Sequence, residues 1–110
     1  MSVMSAGVLV HNPCIFDWSR ANHIFRNAPG HVNPTTPASR QRFVRLFETV
    51  GSNPNNRRPD AVQAGMITQQ AANAGVEAYT RLMQNGEQIW VFVRNSIIIN
   101  AGMNPPGAIR

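Results

Sequence analysis

The sequence predicts an α+β fold, with an N-terminal helical part packed on a C-terminal antiparallel β-meander. Two observations carry this. Phe43, Val44, Phe47 and Val50 recur at the spacing of one helix face. Further on, apolar and polar residues alternate over 76–83 and 88–95, and a β-branched run follows at 97–101. A chain of 110 residues fits one domain.

Residues 1–21 show little periodicity and read as a lead-in, with the domain proper spanning 22–110. Met1 to Val10 lacks the basic region that opens a secretory signal peptide. Pro29, Gly30, Pro34 and Pro37 make 23–37 a loop with short turns. Thr36 is a suitable N-cap and Pro37 a suitable first helical residue, so a helix runs from Ala38 to Val50 with Gly51 as its C-terminal cap. Arg40, Arg42 and Arg45 take the rest of its circumference. The stretch 51–60, GSNPNNRRPD, is loop by composition, and 61–74 is a short helix or an insertion.

The last third sets a register. A two-residue turn at Asn85-Gly86 places Leu82 opposite Ile89, Thr80 opposite Val91 and Ala78 opposite Val93, which forms the core face. The other face then pairs Arg81 with Trp90, Tyr79 with Phe92 and Glu77 with Arg94. A second turn at Asn95-Ser96 leads into the third strand. The aromatic and arginine face has two readings: an amphipathic cover for the sheet, or a platform on which bases stack and phosphates are held, with Tyr79, Arg81 and Trp90 as contacts.

The net charge is +5, and all ten basic residues are arginine. Guanidinium forks grip phosphate oxygens bidentately and stack on bases. This points to RNA, DNA or an acidic protein as partner. The five carboxylates, Asp17, Glu48, Asp60, Glu77 and Glu87, are scattered and never fall at a metal-ligand spacing, which argues against a carboxylate-caged metal nuclease. Cys14 is the lone cysteine, so neither an internal disulfide nor a cysteine-rich zinc site is available. No apolar run approaches the roughly 18 residues of a membrane span. No metal and no cofactor is expected, and no membrane partner.

All three histidines, His11, His23 and His31, lie in the first 31 residues, and Arg26 sits between the last two. Two histidines and an arginine suffice for metal-independent RNA cleavage. One ring takes the 2′-hydroxyl proton, the other protonates the departing 5′-oxygen, and the guanidinium stabilises the phosphorane. Either histidine can serve in either role.

HIFRNAPGH at 23–31, with the arginine-bearing helix after it, resembles the opening of toxin domains at the C-termini of Rhs and contact-dependent-inhibition proteins. GEQIWVFVRNSIIINAGMNPP at 86–106 resembles the ending of the same family of bacterial polymorphic toxins. The likeness spans about 22–106. It implies a fold similar to the barnase/colicin/EndoU-like ribonucleases and cleavage of RNA, such as transfer RNA, in interbacterial competition. It further implies a large secreted carrier, action in the target-cell cytoplasm and a cognate immunity protein, for which the basic charge predicts an acidic character. Carried over, His23, Arg26 and His31 match the opening motif, and Trp90, Arg94, Asn100 and Asn104 the closing one. His23, His31, Arg26 and Arg94 are thus the catalytic candidates, with Trp90, Tyr79, Asn100, Asn104 and Arg81 as substrate contacts. Two departures stand out: Asn33 replaces the aspartate expected after the GH pair, and RRPDAVQAGMITQQAANAG replaces a short glycine-rich connector. VLVHNPC at 8–14 resembles the junction with a self-processing carrier domain. The rival reading is a non-catalytic basic nucleic-acid-binding module. A DNase lacks a metal cage, and no nucleotide-pocket signature supports an ADP-ribosyltransferase.

Overall fold

The computed structural model describes residues 13–110. In chain order these give β1 (Ile15–Phe16), α1 (Ala21–Ile24), α2 (Pro37–Gly51), α3 (Gln69–Asn73), β2 (Glu77–Leu82), β3 (Gln88–Arg94) and β4 (Ile97–Asn104). The strands form one mixed sheet in the order β1-β4-β3-β2. β2, β3 and β4 are the antiparallel meander, and β1 adds a parallel pair, Ile15↔Ile97 and Phe16↔Ile98. The fold is therefore α+β, as expected, but its sheet carries a fourth strand. His11 lies outside the described residues.

Local chemistry sets α2. The Thr36 hydroxyl accepts the Ser39 amide at 3.1 Å, and Ser39 Oγ accepts the Thr36 amide at 3.3 Å, with Pro37 opening the helix. Val44, Phe47 and Val50 are buried against Ile89, Val91 and Ile98 of the sheet. Gly51 is the last residue of the helix and Ser52 its cap, so its use differs from the C-terminal cap expected of it. It permits close approach: a Cβ there would lie 2.8 Å from Cys14 Sγ and 3.1 Å from Val91 Cγ1. Cys14, Phe16 and Ala21 belong to the same core, so the segment read as a lead-in contributes to the domain from Cys14 onward. Phe16 stacks on Phe25, and Phe25 on Phe47.

The first hairpin corrects the expected register. Its loop has three residues, 84–86, with Met83 N–H bonded to Glu87 O and Gly86 at φ +89°. That is the bulged three-residue turn rather than the two-residue primed one. The extra residue slips the pairing by one and exchanges the faces of β2, while Ile89, Val91 and Val93 keep the core face expected of them. Arg81 lies opposite Ile89, Tyr79 opposite Val91 and Glu77 opposite Val93 on the helix side, while Thr80 opposes Trp90 and Ala78 opposes Phe92 on the other side. The second turn holds as read: Asn95 and Ser96 have φ +52° and +64°. A register shift between Phe92 and Val93 makes Ile99 the extra residue of β4, so Ile98 and Ala101, three apart, are both fully buried in the core.

Each outer strand of the meander makes one further main-chain pairing. Arg57 bridges Tyr79 on the β2 edge, and Gly30 O accepts the Met103 N–H on the β4 edge at 3.0 Å.

Candidate active site

The face away from α2 presents three cross-strand rows: Gln88 with Asn104, Trp90 with Gly102, and Phe92 with Asn100. Gly102 has no side chain because the loop preceding α2 crosses it. A Cβ there would clash with Gly30 O and lie 2.7 Å from the Trp90 ring. Trp90 Nε1 donates to the same Gly30 oxygen at 2.9 Å. The loop is thereby pinned to the sheet, and the residue after Gly30 is His31.

His31 meets the Trp90 ring edge-on, at 5.3 Å between centroids and 84° between planes. Its Nδ1 donates to the Ile24 carbonyl at 2.9 Å. A carbonyl can only accept, so in the neutral ring the lone pair is on Nε2, which has no hydrogen-bond partner among the described residues. Burial pushes the His31 pKa down. The Ile24 hydrogen bond opposes this, and the charges of Arg26 and His23 add to the lowering.

His23 is at the end of α1 rather than in a loop. Arg26 Nη1 donates to His23 Nδ1 at 3.0 Å and to the His23 carbonyl at 2.6 Å. A guanidinium only donates, so His23 carries its proton on Nε2. Of the expected opening trio, Arg26 thus contacts His23, and the charges of both act on His31, but none of the three lines the cleft beside Trp90.

Beside Trp90 opens a cleft of about 160 Å³, lined by Trp90, Phe92, Gly30, Asn104 and Arg110 with Pro29 and Met66 at its sides. All five carboxylates are engaged elsewhere: Asp17 with Ser19, Glu48 with the Phe16 amide, Asp60 with Arg58, Glu77 with Arg57 and Glu87 with Asn85. Among the described residues, no group of three or more His, Cys, Asp or Glu could hold a metal.

Of the expected contacts, Trp90 and Asn104 line the cleft, and Asn100 shares its face beside Phe92. Arg94 does not line it: it is exposed at the far end of β3 and borders a separate groove with Arg20, Ile97 and Ile99. Tyr79 and Arg81 are on the opposite face because of the register slip. Tyr79 is buried in the core, its hydroxyl 3.3 Å from Glu77. Sequence reasoning put Phe92 on the platform face without naming it as a contact, and missed Gln88 and Arg110. Parity with Trp90 marks Phe92 and Gln88 once the register is known, whereas no local pattern marks Arg110.

No protein-family model, curated protein or solved structure matches the chain.

Proposed function

We propose that the protein is a metal-independent endoribonuclease. The observation that carries this reading is His31: its pKa lowered by burial, its ring anchored through Nδ1 and set edge-on against Trp90, which lines a cleft with no Asp or Glu side chain. In this mechanism His31 Nε2 takes the 2′-hydroxyl proton and the 2′-oxygen attacks phosphorus. The P–O5′ bond breaks, and the 5′-oxygen leaves with a proton from the His23 imidazolium, a form in which Nδ1 is itself protonated and Arg26 is held by the His23 carbonyl alone. Arg26 offsets the charge on the phosphorane. The products are a 2′,3′-cyclic phosphate and a 5′-hydroxyl. Trp90 and Phe92 stack a base, Asn100 and Asn104 contact the substrate, and Arg94 meets a flanking phosphate.

The same reading takes the helix-on-meander arrangement as barnase/colicin/EndoU-like. It takes the protein as the toxin domain of a large secreted carrier, acting on RNA in a target-cell cytoplasm and restrained by an acidic immunity protein. Incubation with total RNA in EDTA, followed by end-group analysis, tests it. Cyclic phosphate ends are expected, and cleavage that vanishes in EDTA and returns with magnesium overturns it. The second reading, a non-catalytic nucleic-acid-binding module, draws on the two packing contacts of His31, with Ile24 O and Trp90, which also suit a structural histidine. RNA binding without cleavage in that assay selects it.

A further inference from the structure

Among the described residues Gln88 is the one buried polar side chain, 4% exposed, and it lies directly opposite Asn104. Its amide brackets the main chain of Arg110. Oε1 accepts the Arg110 N–H at 3.0 Å, and Nε2 donates to the Arg110 oxygen at 2.9 Å. A main-chain N–H can only donate, so the Gln88 amide has one permitted orientation. Oε1 also accepts Asn104 Nδ2 at 3.0 Å. The Asn104 amide is therefore oriented in turn. Its NH2 faces Gln88, and its Oδ1, with no hydrogen-bond partner among the described residues, sits at the cleft beside Gly30, where a Gly30 Cβ would lie 3.1 Å away.

The bracket holds a second group. Arg58 Nη1 donates to the same Arg110 oxygen at 2.8 Å, while Asp60 grips Arg58 at 2.8 and 2.9 Å. The Arg110 guanidinium donates from Nη1 to Gly65 O at 2.8 Å, which leaves its Nε and Nη2 for a ligand at the cleft wall.

We propose that Gln88 is a positioning residue that sets this cleft to read the edge of a nucleobase, with a base N–H on Asn104 Oδ1 and an adjacent base acceptor on Arg110. The choice of a nucleobase rests on the ribonuclease reading. Trp90 and Phe92 supply the apolar wall for the ring, their centroids 4.8 Å apart. The chemistry required is an N–H donor next to an acceptor. Guanine and uracil offer it through a ring N–H beside a carbonyl, and adenine and cytosine through an exocyclic amine beside a ring nitrogen.

The test titrates the protein with the four nucleoside 3′-monophosphates and with the 1-methylguanosine and 3-methyluridine counterparts, following the Trp90 indole N–H by NMR. If the ring N–H is read, methylation weakens binding by about tenfold or more, because Asn104 Oδ1 loses its donor. If the amine is read, adenosine and cytidine monophosphates bind tightest. In Gln88→Leu the Asn104 amide is freed and the discrimination among nucleotides falls below about threefold, at a thermal unfolding midpoint close to the parent's. Asn104→Ala, outside the buried bracket, gives the same loss should Gln88→Leu fail to fold. Discrimination unchanged in either folded variant overturns the proposal, as does RNA cleavage by a protein whose Trp90 signal no nucleotide shifts. Selective nucleotide binding without RNA cleavage removes the ribonuclease reading and leaves the role of Gln88 standing.

Discussion

The tautomer of one ring carries the chemical argument. His31 gives its Nδ1 proton to a carbonyl that cannot return one, so its neutral form is a base at Nε2. Burial is the main cause of its lowered pKa, with Arg26 and His23 acting in the same sense. On the ribonuclease reading, the kinetic consequence is that the acid limb of a bell-shaped kcat/KM profile lies below 6.5, the ordinary histidine value. Arg26→Met removes one of the lowering charges, so the limb rises toward 6.5, which pH–rate profiles of the two proteins measure. His31→Ala lowers cleavage by about 10²-fold or more, the size of a lost proton-transfer group. The sign for stability follows from the same shift. The folded pKa lies below the unfolded one, so the contribution of the neutral ring is fully present above 6.5 and is lost as pH falls toward the folded pKa. His31→Ala should therefore flatten the dependence of unfolding free energy on pH in that range. A variant with the parent's slope and the parent's cleavage rate assigns the ring no such role.

Elements are joined here at points where a side chain is missing. Gly51 brings the last turn of α2 onto β1 and β3, with Cys14 Sγ and the Val91 and Val93 methyls around the space a Cβ would need. Gly51→Ala should cost about 1–3 kcal/mol, as overpacking does, in chemical denaturation. Adding Cys14→Ala removes the nearest atom and should recover part of that loss, and a double variant no more stable than Gly51→Ala alone would refute the assigned contact. The same elements show what the sequence made legible. Helix α2 was readable to within a residue because its cap, its proline and its apolar face agree. The hairpins were readable as hairpins, since Asn-Gly and paired alternation leave few alternatives. The face assignment of β3 was right, but that of β2 was not, because Gly86 suits both a two-residue and a three-residue turn, and one residue of loop exchanges the faces of β2. Tyr79 and Arg81 left the candidate site for that reason alone. β1 escaped notice because two residues carry no period, and its parallel pairing depends on contacts with β4 some 80 residues away. Arg110 reaches the cleft through Gln88, a contact spanning 22 residues that no local pattern encodes.

At the scale of the whole molecule, charge and its distribution decide the partners. The chain carries a net +5, and every one of its five carboxylates is held by an arginine, a main-chain amide or a small polar side chain away from the cleft. Among the described residues, Arg26, Arg94 and Arg110 form no ion pair with an Asp or Glu side chain. Their field is therefore available to an external polyanion, with Arg110 at the cleft, Arg26 beside the histidines and Arg94 at the far end of β3. A strand of RNA bound there releases counterions in proportion to the phosphates it pairs, so its affinity should fall with salt along a straight line in log–log form. Replacing Arg94 by Met should reduce that slope by about one phosphate contact while leaving kcat near the parent's, because Arg94 stands apart from the histidines. On the proposed toxin reading, the same field calls for an inhibitor that presents carboxylates to these arginines and associates at up to about 10⁸–10⁹ M⁻¹s⁻¹ at low salt. Co-expression with the neighbouring small reading frame, followed by association kinetics across a salt series, measures it. Binding to a basic partner, or a rate indifferent both to salt and to charge reversal of Arg26 and Arg94, would remove the electrostatic account while leaving the cleavage chemistry at His31 untouched.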